Sequence, residues 1–132
     1  MRFLLLIIPG GGYAAAAPDQ PAPADCIARM TRYSEKMLEA GILRGGEGLH
    51  PPSVGARVAF AGGEPTVTDG PFTESKECVG GFWMIEVTSR EEAVAWARRC
   101  PASDGDVIEV RRVQEDEDFA EDSRKAATVS RR

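Results

Sequence analysis

Histidine is nearly missing from this chain, with one in 132 residues, and cysteine is scarce and odd in number at three. A lone histidine with no acidic ligand cluster beside it makes no zinc site. Cys26, Cys78 and Cys100 are too widely spaced for a CxxC metal motif or a disulfide framework, so reduced thiols in a cytoplasmic protein are the simpler reading. Positive charge is also short: 16 Lys and Arg stand against 21 Asp and Glu, a net charge of -5. That excludes the basic face a nucleic-acid binder needs, and the pairs Arg98-Arg99 and Arg111-Arg112 are too few to restore one. No apolar run is long enough to cross a bilayer. Gly10-Gly11-Gly12 follows a strand-like run, but the Lys-Ser/Thr ending of a phosphate loop is missing, as is the Rossmann glycine spacing. No Gly-x-Ser-x-Gly nucleophile elbow occurs either. Neither a metal nor a cofactor is expected.

What is present suits one soluble domain with a modest core, since the chain is 42% hydrophobic and 28% charged. Arg2, the run Phe3–Ile8 and then Ala14–Ala17 mimic a signal peptide, but the run is short and Pro9–Gly12 interrupts it. A buried first strand explains it better, apolar on both faces. Gly10–Gly12 and Pro18–Pro23 read as a mobile flap. Asp25 is placed as the N-cap of a helix reaching about Ala40 and stopped by Gly41. Ile27, Met30, Met37 and Leu38 fall near one helical face and are expected in the core, with Tyr33 close by. Ile42–His50 reads as extended or irregular.

Ala56, Val58 and Phe60 alternate with Arg57 and Ala59 as in a strand, and Gly62-Gly63 turns the chain into Pro65–Thr68. In Phe82–Val87, Trp83, Ile85 and Val87 share one face while Phe82, Met84 and Glu86 share the other. Ser89, with Glu92 three residues on, marks a capping box for a second helix, which Cys100-Pro101 ends. Val107–Val113 is the last strand. From Gln114 onwards blocks of like charge predict a solvated, flexible tail, so the domain is set at 1–113 and the tail at 114–132.

This order is α+β and fits a ferredoxin-like sandwich. Two helices cover only one face of its sheet, yet the other face is also apolar in the first and fourth strands. A second copy packed sheet against sheet in a symmetric homodimer is the economical cover.

Between the hairpin and the Phe82 strand stands Thr68-Asp69-Gly70-Pro71-Phe72, followed by Lys76-Glu77 and Gly80-Gly81-Phe82-Trp83. Gly70-Pro71 makes a sharp, rigid turn, and Asp69 sits at a strand end just before it. The carboxylate serves either chemistry or an Asx-turn. His50 is the one side chain suited to proton transfer near neutral pH, and if it meets Asp69 the carboxylate could orient the ring as a general acid/base pair. Otherwise His50 is a loop histidine bonded to a backbone carbonyl. Phe72 and Trp83 could line a cleft for a small planar or apolar ligand, or pack in the core. Glu74 and Lys76 could add charge to that pocket, or form a solvated pair. Glu47 could supply a second acid near His50.

These residues, with Gly45-Gly46-Glu47-Gly48-Leu49-His50-Pro51 and Ile108-Glu109-Val110-Arg111, resemble the YCII-related (YciI-like) family in its DGPF branch, from Met1 to about Val113. The resemblance implies dimers of the α/β-barrel type and no single assigned reaction. It also implies a regulatory setting beside extracytoplasmic-function sigma factors. The wider family is thought to use a histidine–aspartate pair with the histidine on its first helix. The predicted first helix here, Asp25–Ala40, has none, so that pair does not carry over and His50 is a substitute inferred from this sequence. Two expectations follow: a cofactor-independent enzyme using His50 and Asp69, or a non-catalytic ligand-binding or regulatory dimer.

Overall fold

The apolar run Arg2–Ile8 forms a strand, β1, with neighbours on both sides in the sheet. Its surroundings come from a computed structural model that describes residues 1–10, 23–70 and 78–119. The chain continues through α1 (Ala24–Glu39), β2 (Leu43–Gly48), β3 (Ala56–Ala61), β4 (Glu64–Asp69), β5 (Gly81–Glu86), α2 (Arg90–Arg98) and β6 (Val107–Arg112). Four strands make one antiparallel sheet in the order β2-β5-β1-β6, an α+β arrangement compatible with the ferredoxin-like pattern. β3 and β4 form a separate two-stranded ribbon between the second and third strands of that pattern. The expected flap lies largely in residues 11–22 and most of the tail in residues 120–132, outside the described residues.

Register decides which side of the sheet each residue serves. Cross-strand partners share a face, so Phe3↔Ile85 and Leu5↔Trp83 put β1 and β5 side chains together under the helices. There Phe3, Leu5, Ile85 and Val87 are buried against Tyr33 and Met37 of α1 and Ala93 of α2. Each large apolar side chain withdrawn from water in this way contributes about 1.5–3 kcal/mol. The Tyr33 hydroxyl, carried into that core, donates to the Trp96 carbonyl at 2.6 Å. Its ring meets Trp83 edge to face, with centroids 5.2 Å apart. On the opposite face Leu4, Leu6, Ile8, Phe82 and Met84 are only half-buried.

Two sequence expectations are corrected. Of α1 only Tyr33 and Met37 are buried in the core, whereas Met30 is half-buried and Ile27 and Leu38 are exposed. At 3.6 residues per turn, Ile27 and Leu38 lie roughly a quarter turn round from Met37 and point past the sheet edge. The N-cap of α1 is Pro23, which makes no side-chain cap, and Asp25 lies inside the first turn. A carboxylate there still meets the positive end of the helix dipole. At the other end of the chain, the start of the charged tail is held. Arg2 grips Glu115 with two bonds, Nε to Oε1 at 2.8 Å and Nη2 to Oε2 at 3.0 Å. Glu115 and Asp118 cap each other around a short 3-10 turn, Asp116–Asp118. A bidentate arginine ties down acidic residues that local charge alone would leave in solvent.

Other local readings agree with the structure. Gly41, at φ 75°, ends α1, and Gly62 and Gly63, at φ 62° and 84°, give the ribbon the turn its twist favours. Ser89 caps α2 by accepting from Glu92 N at 3.1 Å. The Glu92 carboxylate accepts from Thr88 N at 2.9 Å, one residue earlier than a standard box places it. The Thr88 amide and hydroxyl hold that carboxyl below its usual range.

Candidate functional site

A cleft of about 940 Å³ opens where α1 passes over the edge strand β2 and the start of β5. Its size is that of a small-molecule site. In the helix-facing register of β2, Gly46 opposes Trp83 and Gly48 opposes Gly81, and at Gly48 the space a side chain would fill stays open. A β-carbon on Gly48 would meet nothing within 4 Å. On Gly46 it would lie 2.8 Å from the Phe82 carbonyl oxygen and on Gly81 2.9 Å from the Glu47 carbonyl oxygen, so these two glycines let β2 and β5 approach closely.

The wall opposite the glycines is apolar: Ile27, Met30 and Leu38 of α1, Leu43 of β2, and Trp83 of β5. Trp83 is held as a fixed wall, because its Nε1 donates to Ser34 Oγ at 3.0 Å and its ring is braced by Tyr33. Polar side chains are fewer: Thr31, Ser34, Arg44, Glu47 and His50. The helix residues of this wall are those expected in the core, so the cleft was not foreseen from α1. The signal that could have revealed it is the glycine run of β2 placed opposite Gly80-Gly81.

His50 lines the mouth of this cleft and is exposed. It follows β2, whose pairing extends one step further as Leu49 N donates to Gly80 O at 2.9 Å. Asp69 ends β4 opposite Ala56 and is also exposed. The two loops meet through their backbones, since Gly70 N donates to Gly55 O at 2.9 Å and Gly55 N to Pro52 O at 2.9 Å. Gly70 packs so closely on Pro52 that a β-carbon there would collide with the Pro52 carbonyl oxygen. Among the described residues, the recorded ion pairs and side-chain hydrogen bonds include none between His50 and Asp69. Asp69 does not line the cleft, whereas Glu47 does. Phe72, Glu74 and Lys76 lie outside the described residues.

Among the described residues no group of three or more His, Cys, Asp or Glu could hold a metal, and no helix is long and apolar enough to cross a membrane. The Gly10 amide, at the start of the glycine run, donates to the Asp106 carboxylate at 3.0 Å.

The YCII-related domain family matches residues 1–117 of the chain. An uncharacterized protein of Rhizobium meliloti (strain 1021) is 38% identical over 69 residues. That match covers 52% of this chain and 56% of the relative, so the chain spans little more than half the length of this curated relative.

Proposed function

The chain belongs to the YCII-related family, and from there we propose that it is a ligand-binding homodimer whose α1–β2 cleft takes a small, largely apolar organic molecule. The carrying observation is the cleft itself, lined by Gly46, Gly48 and Gly81, open over Gly48, and walled by Trp83, Met30 and Leu38. A pocket mostly apolar, with a few convergent polar groups, is the ordinary form of a small-molecule site. His50 is exposed and, among the described residues, forms no ion pair with a carboxylate, which favours binding over proton transfer. The half-buried outer face of β1 and β5 supports the dimer, because a second copy would finish burying it. In the regulatory setting implied by the resemblance to proteins found beside extracytoplasmic-function sigma factors, such a cleft would act as the sensing site.

The test uses Trp83 as reporter. In a Trp96→Phe background, 8-anilinonaphthalene-1-sulfonate, a planar apolar probe with one polar group, is titrated while indole emission is followed. Gly48→Leu then puts a side chain into the hollow, at a position where a β-carbon meets nothing within 4 Å. Saturable binding that Gly48→Leu abolishes, with the far-UV spectrum unchanged, is the expected result. Equal binding by wild type and Gly48→Leu would place the probe elsewhere and remove the reading.

A second reading is favoured by one observation: His50 and Glu47 line the same cleft. With Asp69 joined to this loop through the Gly55–Gly70 backbone contact, His50 could act as a general acid/base in a cofactor-independent enzyme. NMR titration of His50 in wild type and Asp69→Asn decides it. Coincident curves sink the His50–Asp69 pair, and a pKa that falls in the variant supports it.

A further inference from the structure

The β3–β4 ribbon stands apart from the four-stranded sheet, and its two faces differ sharply. Register puts Val58 opposite Val67 and Phe60 opposite Pro65 on one face, and Arg57 opposite Thr68 and Ala59 opposite Thr66 on the other. Within the single chain the apolar face is bare: Phe60 is 82% exposed, Val67 65% and Val58 51%. A two-stranded hairpin is at best marginally stable by itself in water. This one is nevertheless anchored at its base, by Gly70 N on Gly55 O and by Gly70 packed on Pro52. Such a ribbon is built to hold an apolar surface out from its own domain.

We propose that the ribbon is an arm that crosses to a second copy of this chain and lays its Val58, Phe60, Pro65 and Val67 face on the outer sheet face of that copy. This rests on the dimer reading above and names the element that completes it. The occupant is argued from what the chain leaves uncovered. Among the described residues, and apart from the cleft, two apolar surfaces lack full cover, the ribbon face and the half-buried Leu4, Leu6, Phe82 and Met84 patch bordered by Glu109 and Arg111, and both occur once in every copy. In a two-fold assembly each arm covers the other copy's sheet, so both surfaces are satisfied and the assembly closes. Arm against arm would leave both sheet faces bare.

Area agrees. The three exposed side chains present about 350 Å² per arm, so two reciprocal arms and the surface they cover bury about 1,400 Å², within the range of a stable interface. Docking would also fix the Gly55–Gly70 junction, and with it the loop that carries His50 to the cleft mouth.

Sedimentation velocity of the full chain at micromolar concentration, with Phe60→Asp beside wild type, is the first arm of the test. Phe60 lies outside the core, so far-UV circular dichroism of the variant should match wild type. The expected result is a wild-type dimer whose dissociation constant rises about tenfold or more in Phe60→Asp. In the second arm Phe60 is replaced by p-benzoylphenylalanine, irradiated, and the cross-linked peptides are mapped. A covalent dimer joined at Arg2–Ile8 or Gly81–Glu86 is expected. If wild type is a dimer but Phe60→Asp dimerises equally, or the cross-links join arm to arm or stay within one chain, the arm is overturned while the dimer stands. If wild type sediments as a monomer throughout, both fall.

Discussion

Alkaline pH should destabilise this protein earlier than its lysines and arginines require, and Cys100 is the reason. Its thiol sits just past α2, where burial first, then the charge of Asp106 and the proximity of Cys26, push it from 9.0 up to about 11. The folded state therefore keeps a proton that the unfolded chain releases. Stability from this group is fully present below pH 9 and is lost as pH rises towards 11, since the unfolded state then binds fewer protons. The slope within that window is at most about 1.4 kcal/mol per pH unit. Because the thiol is only half-buried, solvent screening reduces the total to about 1–2 kcal/mol. For a domain of this size that is a fall in Tm of roughly 4–8 °C. Tyr33 adds a second loss, beginning near its ordinary value of 10.0, because burial raises its phenol as well.

The assay is urea unfolding at a series of pH values from 8 to above 10, wild type against Cys100→Ala. The substitution changes stability at every pH through packing, and it flattens the slope between pH 9 and 10 by removing the thiol's titration and, to a lesser degree, its raising effect on Tyr33. Cys78, whose thiol burial also raises, stays in both proteins and cancels in the comparison. Parallel profiles for the two proteins would refute the reasoning, because they would show that Cys100 titrates alike in the folded and unfolded states.

Three further outcomes follow from the packing. Met37 is fully buried, so Met37→Ala should cost about 2–5 kcal/mol in chemical denaturation. Gly70→Ala forces a β-carbon against the Pro52 carbonyl and should loosen the base of the ribbon by about 1–3 kcal/mol. Hydrogen exchange should quicken at Arg57 and Thr68, a hydrogen-bonded pair of the ribbon, while the β1 and β5 amides keep their protection. Ser89→Ala removes the acceptor for Glu92 N and should lower global stability by about 1 kcal/mol, read as a shift in the urea midpoint at constant m-value.

The sequence by itself determined the elements and most of their faces. Alternation settled that Trp83, Ile85 and Val87 point one way and Phe82 and Met84 the other, because side-chain direction in a strand has a period of two whatever lies around it. Gly41, Gly62-Gly63 and Ser89 set their turns and cap through backbone chemistry that acts within a few residues. Tertiary structure decided what those faces meet. Ile27 and Leu38 share a helical stripe with core residues, yet they border a cleft because α1 lies over β2, whose glycines remove the packing partners. The ribbon, read correctly as a hairpin, has its apolar face bare, since hydrophobic pattern says that a side chain seeks cover and not which surface supplies it. Glu115 is held by Arg2 across 113 positions of sequence, a contact that no local charge pattern contains. The backbones around His50 and Asp69 converge through Gly55 and Gly70 for the same reason: local chemistry has a reach of a few residues, and only the folded chain brings distant loops together.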